Sequence, residues 1–250
     1  MDKILKDLSS KQGKRFSLEE EIDKLNENKI KELKERKEKE IQREIQSTNS
    51  YKILAKRNKA FKNIPKKFRE KTMQNLKDEY EGAEFHKALD VFVKSVYEID
   101  NLKKGIYLYG NAGTGKTSIL SVFGQVLYDK KGKTISYLTE EDLKNEIQET
   151  FKDYSNKTDI DLVKELAKNQ IVLIDELGQN CKEWFLKDLK VFLDEIVNNE
   201  HLLFVTSNYY YQPLAERYRN ENSDNKLCEQ VVDRLVGMTN PLEIKGGSRR

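Results

Sequence analysis

The chain has 250 residues, of which 36% are charged and 37% hydrophobic, and it carries a formal net charge of +3. That length holds one large domain, or one medium domain with an appendage, and the composition is polar for a globular protein. The charge is local: Lys/Arg against Asp/Glu stand at 17 to 12 in residues 1–60, 8 to 8 in 61–100 and 21 to 23 in 101–250. A basic arm of this size suits an anionic or acidic partner, but the excess is too small to establish nucleic-acid binding.

Cys181 and Cys228 lie far apart, and with only His86 and His201 beside them no structural-zinc pattern exists. Free thiols fit a reducing compartment. The N-terminus lacks the apolar core of a signal peptide, and no stretch approaches a membrane span. The expectation is a soluble, cytoplasmic protein with no membrane partner.

Residues 1–60 are dominated by Lys, Glu and Gln. Ser17 with Glu20 matches a capping box, and Ile22, Leu25, Ile30 and Leu33 form a narrow apolar edge before a stretch, 34–40, with no apolar residue. Such a helix buries little by itself. It reads either as a solvated or partly disordered arm or as a docking arm that orders on a partner protein. Ile4, Leu5, Leu8 and Phe16 favour docking.

Ile64-Pro65 marks a break, because proline disfavours helix in the residue before it. Beyond it, Phe85, Leu89, Phe92, Val93 and Val96 recur at helical spacing. Residues 100–105 turn the chain into a short buried strand, Ile106 to Tyr109, and a glycine-rich loop leads to a helix from 116 to about 129. A strand over 134–138 follows, then a helix through 151 capped by Thr139 with Asp142. The segment 152–158 reads as a loop and 160–168 as a helix. Residues 171–174 are uninterruptedly apolar, as in a strand covered on both faces. A helix over 184–198 precedes a strand over 202–206. This alternation predicts an α/β fold with a parallel sheet flanked by helices and right-handed crossovers.

The loop reads Gly110-Asn111-Ala112-Gly113-Thr114-Gly115-Lys116-Thr117, a G-x-x-x-x-G-K-T pattern between a predicted strand and a predicted helix. Glycines let the backbone curl so that successive N–H groups face phosphate oxygens. Lys116 reaches the β- and γ-phosphates, the Thr117 hydroxyl ligates Mg²⁺, and the helix opening at Lys116-Thr117-Ser118 adds its dipole. The predicted cofactors are therefore ATP or ADP and Mg²⁺. The apolar strand delivers Asp175 and Glu176 to its C-terminal end, where ligands bind in open α/β sheets. Asp175 suits Mg²⁺, and Glu176 suits a general base for the attacking water. Three segments result: a charged helical arm over 1–60, a linker and helix over 61–100, and an ATPase domain over 101–250.

The loop, Asp175-Glu176-Leu177-Gly178 and Thr206-Ser207-Asn208 resemble the AAA+ replicative helicase loaders of the DnaC/DnaI type and their relatives, the IstB-type transposition helper ATPases. The resemblance runs from about Ile64 to Arg250; Ile64 to Arg69 is similar to the segment that introduces the ATPase module, and Met73-Gln74-Asn75-Leu76 matches loosely. It implies that Asn208 is sensor 1, contacting the γ-phosphate or the water, and that Arg234, in Val231-Val232-Asp233-Arg234-Leu235, is an arginine finger for a neighbouring subunit's ATP. A salt-bridge role remains the alternative for Arg234, and Arg217 and Arg219 are rival fingers. Gly246 to Arg250 is similar to the terminal element carrying sensor 2, which makes Arg250, or Arg249, the candidate. The cysteine-rich zinc module of some loaders is absent before Cys181.

The resemblance further implies a hexameric replicative DNA helicase as partner, single-stranded DNA as cargo and ATP-dependent self-assembly. Lys66, Lys67, Phe68 and Arg69 are candidates for DNA contact, or else a solvated linker anchored by Phe68. A transposition helper on duplex DNA and a small-molecule P-loop kinase are the competing functions. The kinase lacks its arginine-rich lid, and Glu176 argues against a scaffold that binds ATP without hydrolysing it.

Overall fold

The computed structural model describes residues 50–150, 167–221 and 224–247, together with 29, 31, 32, 34–39 and 43 in the arm. The chain divides into two compact units, residues 1–56 and 57–250. In the first, the described residues are helical and exposed, as expected where charged side chains surround the helix axis. Ser17, Glu20, Ile22, Leu25, Ile30 and Leu33 lie outside the described residues, as do the loop expected over 152–158 and the helix expected over 160–168 as far as residue 166.

The second unit is built on five strands: β1 (Gly105–Tyr109), β2 (Ile135–Thr139), β3 (Ile171–Leu177), β4 (Leu202–Ser207) and β5 (Thr239–Glu243). Their order is β2-β3-β4-β1-β5, and every pairing is parallel. A 3-10 turn at Lys66–Phe68 is followed by α1 (Met73–Glu79), α2 (Ala83–Glu98), α3 (Lys116–Lys131), α4 (Glu140–Thr150), α5 (Glu183–Asn198), α6 (Tyr211–Glu221) and α7 (Asn225–Met238). None of the described helices is long and apolar enough to cross a membrane.

The apolar run of β3 is explained by the two cores it separates. Ile171 and Leu173 join Phe85, Phe92, Ile119 and Phe123 on the face covered by α1 to α3, with Phe61, Ile64 and Phe68 completing that cluster. Val172 and Ile174 point the other way, into a core of Leu143, Phe185, Leu189, Leu214 and Val231 contributed by α4 to α7. A side-chain period of two with both faces buried requires an apolar residue at each position.

The local signals are visible as bonds. Thr139 and Asp142 form the expected reciprocal cap of α4: Asp142 N–H donates to Thr139 Oγ1 at 2.9 Å and Thr139 N–H to Asp142 Oδ2 at 2.9 Å. Helix α3 runs to Lys131 and stops at Gly132, whose φ of 62° is left-handed. Strand β2 begins one residue later than expected, and β3 continues through Asp175 and Glu176 to Leu177. Strand β5, Thr239-Asn240-Pro241-Leu242-Glu243, is not among the expected strands. It pairs with β1 from Gly105↔Thr239 to Tyr109↔Glu243, and as an edge strand it tolerates Pro241.

Candidate nucleotide site

The C-terminal ends of β1, β3 and β4 lie side by side, so the segments that leave them share one rim of the sheet, where open α/β sheets hold ligands. The loop from β1 to α3 carries positive φ at Gly110, Gly113 and Gly115. At Gly115 the requirement for glycine is double: φ is +97°, and a Cβ would stand 2.6 Å from the Phe85 ring. The loop is closed internally by Thr114 Oγ1, which donates to the Asn111 carbonyl at 3.0 Å.

Lys116 is buried, and its ammonium joins the ends of two strands. It donates to the carbonyls of Gly110 and Asn111, both at 2.8 Å, and to Asn208 Oδ1 just beyond β4 at 3.0 Å. Thr117 Oγ1 donates to Asp175 Oδ1 at 3.1 Å. The Asp175 carboxylate also accepts Thr206 Oγ1 at 2.5 Å and the Tyr137 hydroxyl at 2.9 Å, while Tyr137 Oη lies 3.0 Å from Ser121 Oγ. Burial pushes the Asp175 carboxyl above its ordinary range; Thr206, Tyr137 and Thr117 pull it back, and Glu176 pushes it up again.

Glu176 is exposed and has φ +61°. Its N–H donates to Thr206 Oγ1 at 3.0 Å, so one hydroxyl holds both acidic residues of the strand tip. The β3–β4 register shifts between Ile174 and Leu177, which turns Glu176 out of the pleat.

These pieces border a cleft of about 630 Å³ lined by Ala112 to Ser118, Glu176, Gln179, Thr206 and Asn208, together with Pro65, Lys67, Phe68 and Tyr80. The volume is that of a small-molecule site. Tyr80 and Phe68 are tied to α3. Tyr80 Oη lies 2.8 Å from Ser118 Oγ, and the Tyr80 ring stacks on Phe85 at 4.6 Å between centroids. Gln125 of α3 donates to the Phe68 carbonyl at 2.8 Å, and Arg57 donates twice to Asp129 at 2.9 Å. Among the described residues no three His, Cys, Asp or Glu side chains converge. Thr117 and Asp175 offer one hydroxyl and one carboxylate. That hard-oxygen set fits a magnesium ion whose remaining ligands are water and substrate phosphates.

The family described as IstB-like ATP binding protein matches residues 20–250. The chain belongs to that family. This IstB-like protein is 26% identical over 164 residues to the replicative helicase loader DnaC of Buchnera aphidicola subsp. Schizaphis graminum, covering 66% of this chain and 62% of that protein. It is 26% identical over 168 residues to the replicative helicase loader DnaI of Bacillus subtilis, covering 64% of this chain and 51% of that one. The similarity thus spans only about half to three fifths of these relatives' length. A crystal structure of DnaI superposes with a TM-score of 0.60 at 22% identity, over 75% of this chain and 95% of that chain. At that identity the likeness speaks for the fold alone, a parallel sheet flanked by helices.

Of the residues expected in the site, Ala112, Gly113, Thr114, Gly115, Lys116, Thr117, Ser118, Glu176 and Asn208 line the IstB-like cleft. Gly110, Asn111 and Asp175 contact its lining through Lys116 and Thr117. Arg234 lies elsewhere: its Nε is 2.5 Å from Asp194 Oδ1 on α5, and Lys190 shares that carboxylate at 2.7 Å. Arg217 donates to the Gly178 carbonyl at 2.8 Å and lies over the Tyr209 ring. Arg249 and Arg250 lie outside the described residues.

Two of the residues considered for DNA contact have structural duties. Phe68 is buried in the core, and Arg69 donates to the carbonyls of Ile64 and Lys62 at 2.9 and 2.8 Å. Nothing in the sequence pattern singles out Tyr80, Tyr137 or Gln179 for the site. Tyr137 sits in an apolar strand, where nothing local separates it from a core aromatic. Thr206 stands out in the sequence only as part of Thr206-Ser207-Asn208.

Proposed function

We propose that this protein is an ATP-switched loader that binds a hexameric replicative DNA helicase and places it on single-stranded DNA. In this reading Gly110 to Ser118 cradle the triphosphate, Lys116 exchanges its carbonyl partners for the β- and γ-phosphate oxygens, and Asn208 follows the γ-phosphate. Thr117 and Asp175 would hold magnesium, which would supply charge neutralisation at the phosphates. Glu176 polarises the attacking water as general base. Arg234 leaves Asp194 to reach the ATP of a neighbouring copy, so that turnover depends on an ATP-dependent assembly. The charged arm docks on the helicase.

The observation that supports this reading most directly is the apposition, across one cleft, of the lysine-bearing loop and the Asp175-Glu176 strand tip, joined by the Thr117–Asp175 and Lys116–Asn208 hydrogen bonds. The names of the curated relatives supply the helicase. The family is described as IstB-like, and the resemblance to IstB-type transposition helper ATPases carries the second reading, a helper that binds duplex DNA and a transposase.

The test mixes the full chain with a replicative helicase, or with a transposase of the IstB-associated class, with and without ATP, and measures the mass of the complexes. An ATP-sensitive complex with the helicase alone supports the loader. A complex with the transposase alone replaces it. Lys116→Ala is expected to abolish ATP binding and the ATP sensitivity together; full nucleotide affinity in that variant refutes the site.

A further inference from the structure

Glu140, the first residue of α4, is only 1% exposed and does not line the cleft. Its carboxylate accepts three successive backbone N–H groups: Gly178 at 2.5 Å and Gln179 at 2.8 Å on Oε2, and Asn180 at 2.7 Å on Oε1. Successive N–H groups converging on one point make an anion-binding concavity, and here the anion is the chain's own side chain. The turn they form starts two residues after Glu176. Its first peptide is also held from the other side, where Arg217 Nε of α6 donates to the Gly178 carbonyl at 2.8 Å. Gly178 has φ +100°, and a Cβ there would come within 2.7 Å of Leu214 Cδ1.

The grip has an evident load. A left-handed backbone at a non-glycine residue costs about 1–2 kcal/mol and persists only where its surroundings over-determine it. Glu176 adopts that conformation while its side chain is exposed, so its own packing does not hold it. Thr206 fixes the Glu176 N–H on the upstream side, and Ser207 Oγ donates to the Leu177 carbonyl at 2.6 Å. Downstream, the next three N–H groups belong to Glu140. Gln179, held in that turn, is itself part of the cleft lining.

We propose that Glu140 is a positioning residue for ATP hydrolysis: by fixing the turn at residues 178–180 it keeps Glu176 in its cleft-facing backbone conformation and Gln179 on the rim. The inference rests on the reading of Glu176 as general base. A peg with no such duty would be cheaper uncharged. Burial pushes the Glu140 carboxyl up to about 7 against the pull of the three N–H groups and Arg217, and its two acceptor oxygens match three converging donors where a side-chain amide offers one. The other titratable groups facing it are Tyr107 of β1, Tyr218 of α6 and Cys181.

The test compares wild type, Glu140→Gln, Arg217→Ala, Glu176→Gln and the Glu140→Gln/Glu176→Gln double variant in ATP affinity by calorimetry, steady-state hydrolysis and thermal midpoint. Glu140→Gln is expected to bind ATP within about threefold of wild type while kcat falls about tenfold or more, and to cost no further turnover in the Glu176→Gln background. Arg217→Ala, which loosens the same turn with Glu140 intact, shows the same split at smaller size. Parallel losses of affinity, kcat and thermal midpoint in both Glu140→Gln and Arg217→Ala overturn the proposal, as does an undiminished Glu140→Gln effect in the double variant. Wild-type turnover in Glu176→Gln overturns the reading of the site, and Glu140 with it. An inactive Glu176→Gln beside a fully active Glu140→Gln overturns the role of Glu140 alone.

Discussion

Replacing Tyr137 with phenylalanine removes one oxygen from behind Asp175 and leaves the buried ring in its packing. The lost hydroxyl donates to Asp175 Oδ2 at 2.9 Å and sits 3.0 Å from Ser121 Oγ. A hydrogen bond to a charged acceptor is worth about 1.5–3 kcal/mol, and with the ring retained no larger cavity term is added. For a unit of this size, 2 kcal/mol lowers the thermal midpoint by roughly 4–8 °C.

The same deficit acts on ionisation. The Tyr137 hydroxyl favours the charged carboxylate, so its removal raises the Asp175 pKa. Burial already pushes that carboxyl up, which brings the change closer to neutrality. If Asp175 holds magnesium as proposed, magnesium-dependent ATP affinity is expected to fall off at a higher pH than in the wild type. The assay is ATP titration across pH with magnesium and again with a chelator. A magnesium-dependent midpoint identical to wild type, or an equal shift in the chelated series, refutes the coupling of Tyr137 to Asp175.

Arg234→Ala breaks an ion pair whose arginine is 44% exposed, so its stability cost is at most about 1 kcal/mol. ATP affinity should hold, while the rise of specific activity with protein concentration disappears; an equal loss of activity in dilute monomer removes the in-trans role. Gly115→Ala places a Cβ 2.6 Å from the Phe85 ring at a φ of +97°, and should weaken both ATP binding and the thermal midpoint, by about 1–3 kcal/mol of stability. Unchanged midpoints would show that the loop and the Tyr80–Phe85 wall move apart freely. Glu140 gives a pH signature: its folded pKa of about 7 lies above the unfolded value of 4.5. Its contribution to stability is therefore present below pH 4.5 and is lost as pH rises through 7, to the extent of about 3 kcal/mol. Denaturant midpoints at pH 5 and pH 8 should differ by less in Glu140→Gln than in wild type, and equal differences in the two proteins contradict the raised pKa.

Much of the site was legible because its signals are short. Gly110 to Thr117 is a continuous backbone device whose glycines, lysine and threonine must follow one another, and the strand leading to Asp175-Glu176 announces itself by four aliphatics in a row. Thr139 and Asp142 cap a helix three residues apart, well within reach of pattern. Tyr137 and Glu140 carry no such mark. The partners of Tyr137, Ser121 and Asp175, are separated from it by 16 and 38 residues, and those of Glu140 by 38 to 40.

By itself the sequence determined the alternation of strands and helices, the burial of β3 on both faces and the glycine-rich loop between β1 and α3, because each follows from neighbours along the chain. Only the tertiary structure decided that Thr239–Glu243 is a strand, since an edge strand containing Pro241 gains its order from β1 rather than from an apolar pattern. Only it brought Pro65, Lys67, Phe68 and Tyr80 to the cleft, paired Arg234 with Asp194, and set a buried carboxylate beneath the turn after Glu176. Local sequence encodes period and turn. Which distant side chain meets a given backbone group is settled when the sheet order brings remote segments to one rim.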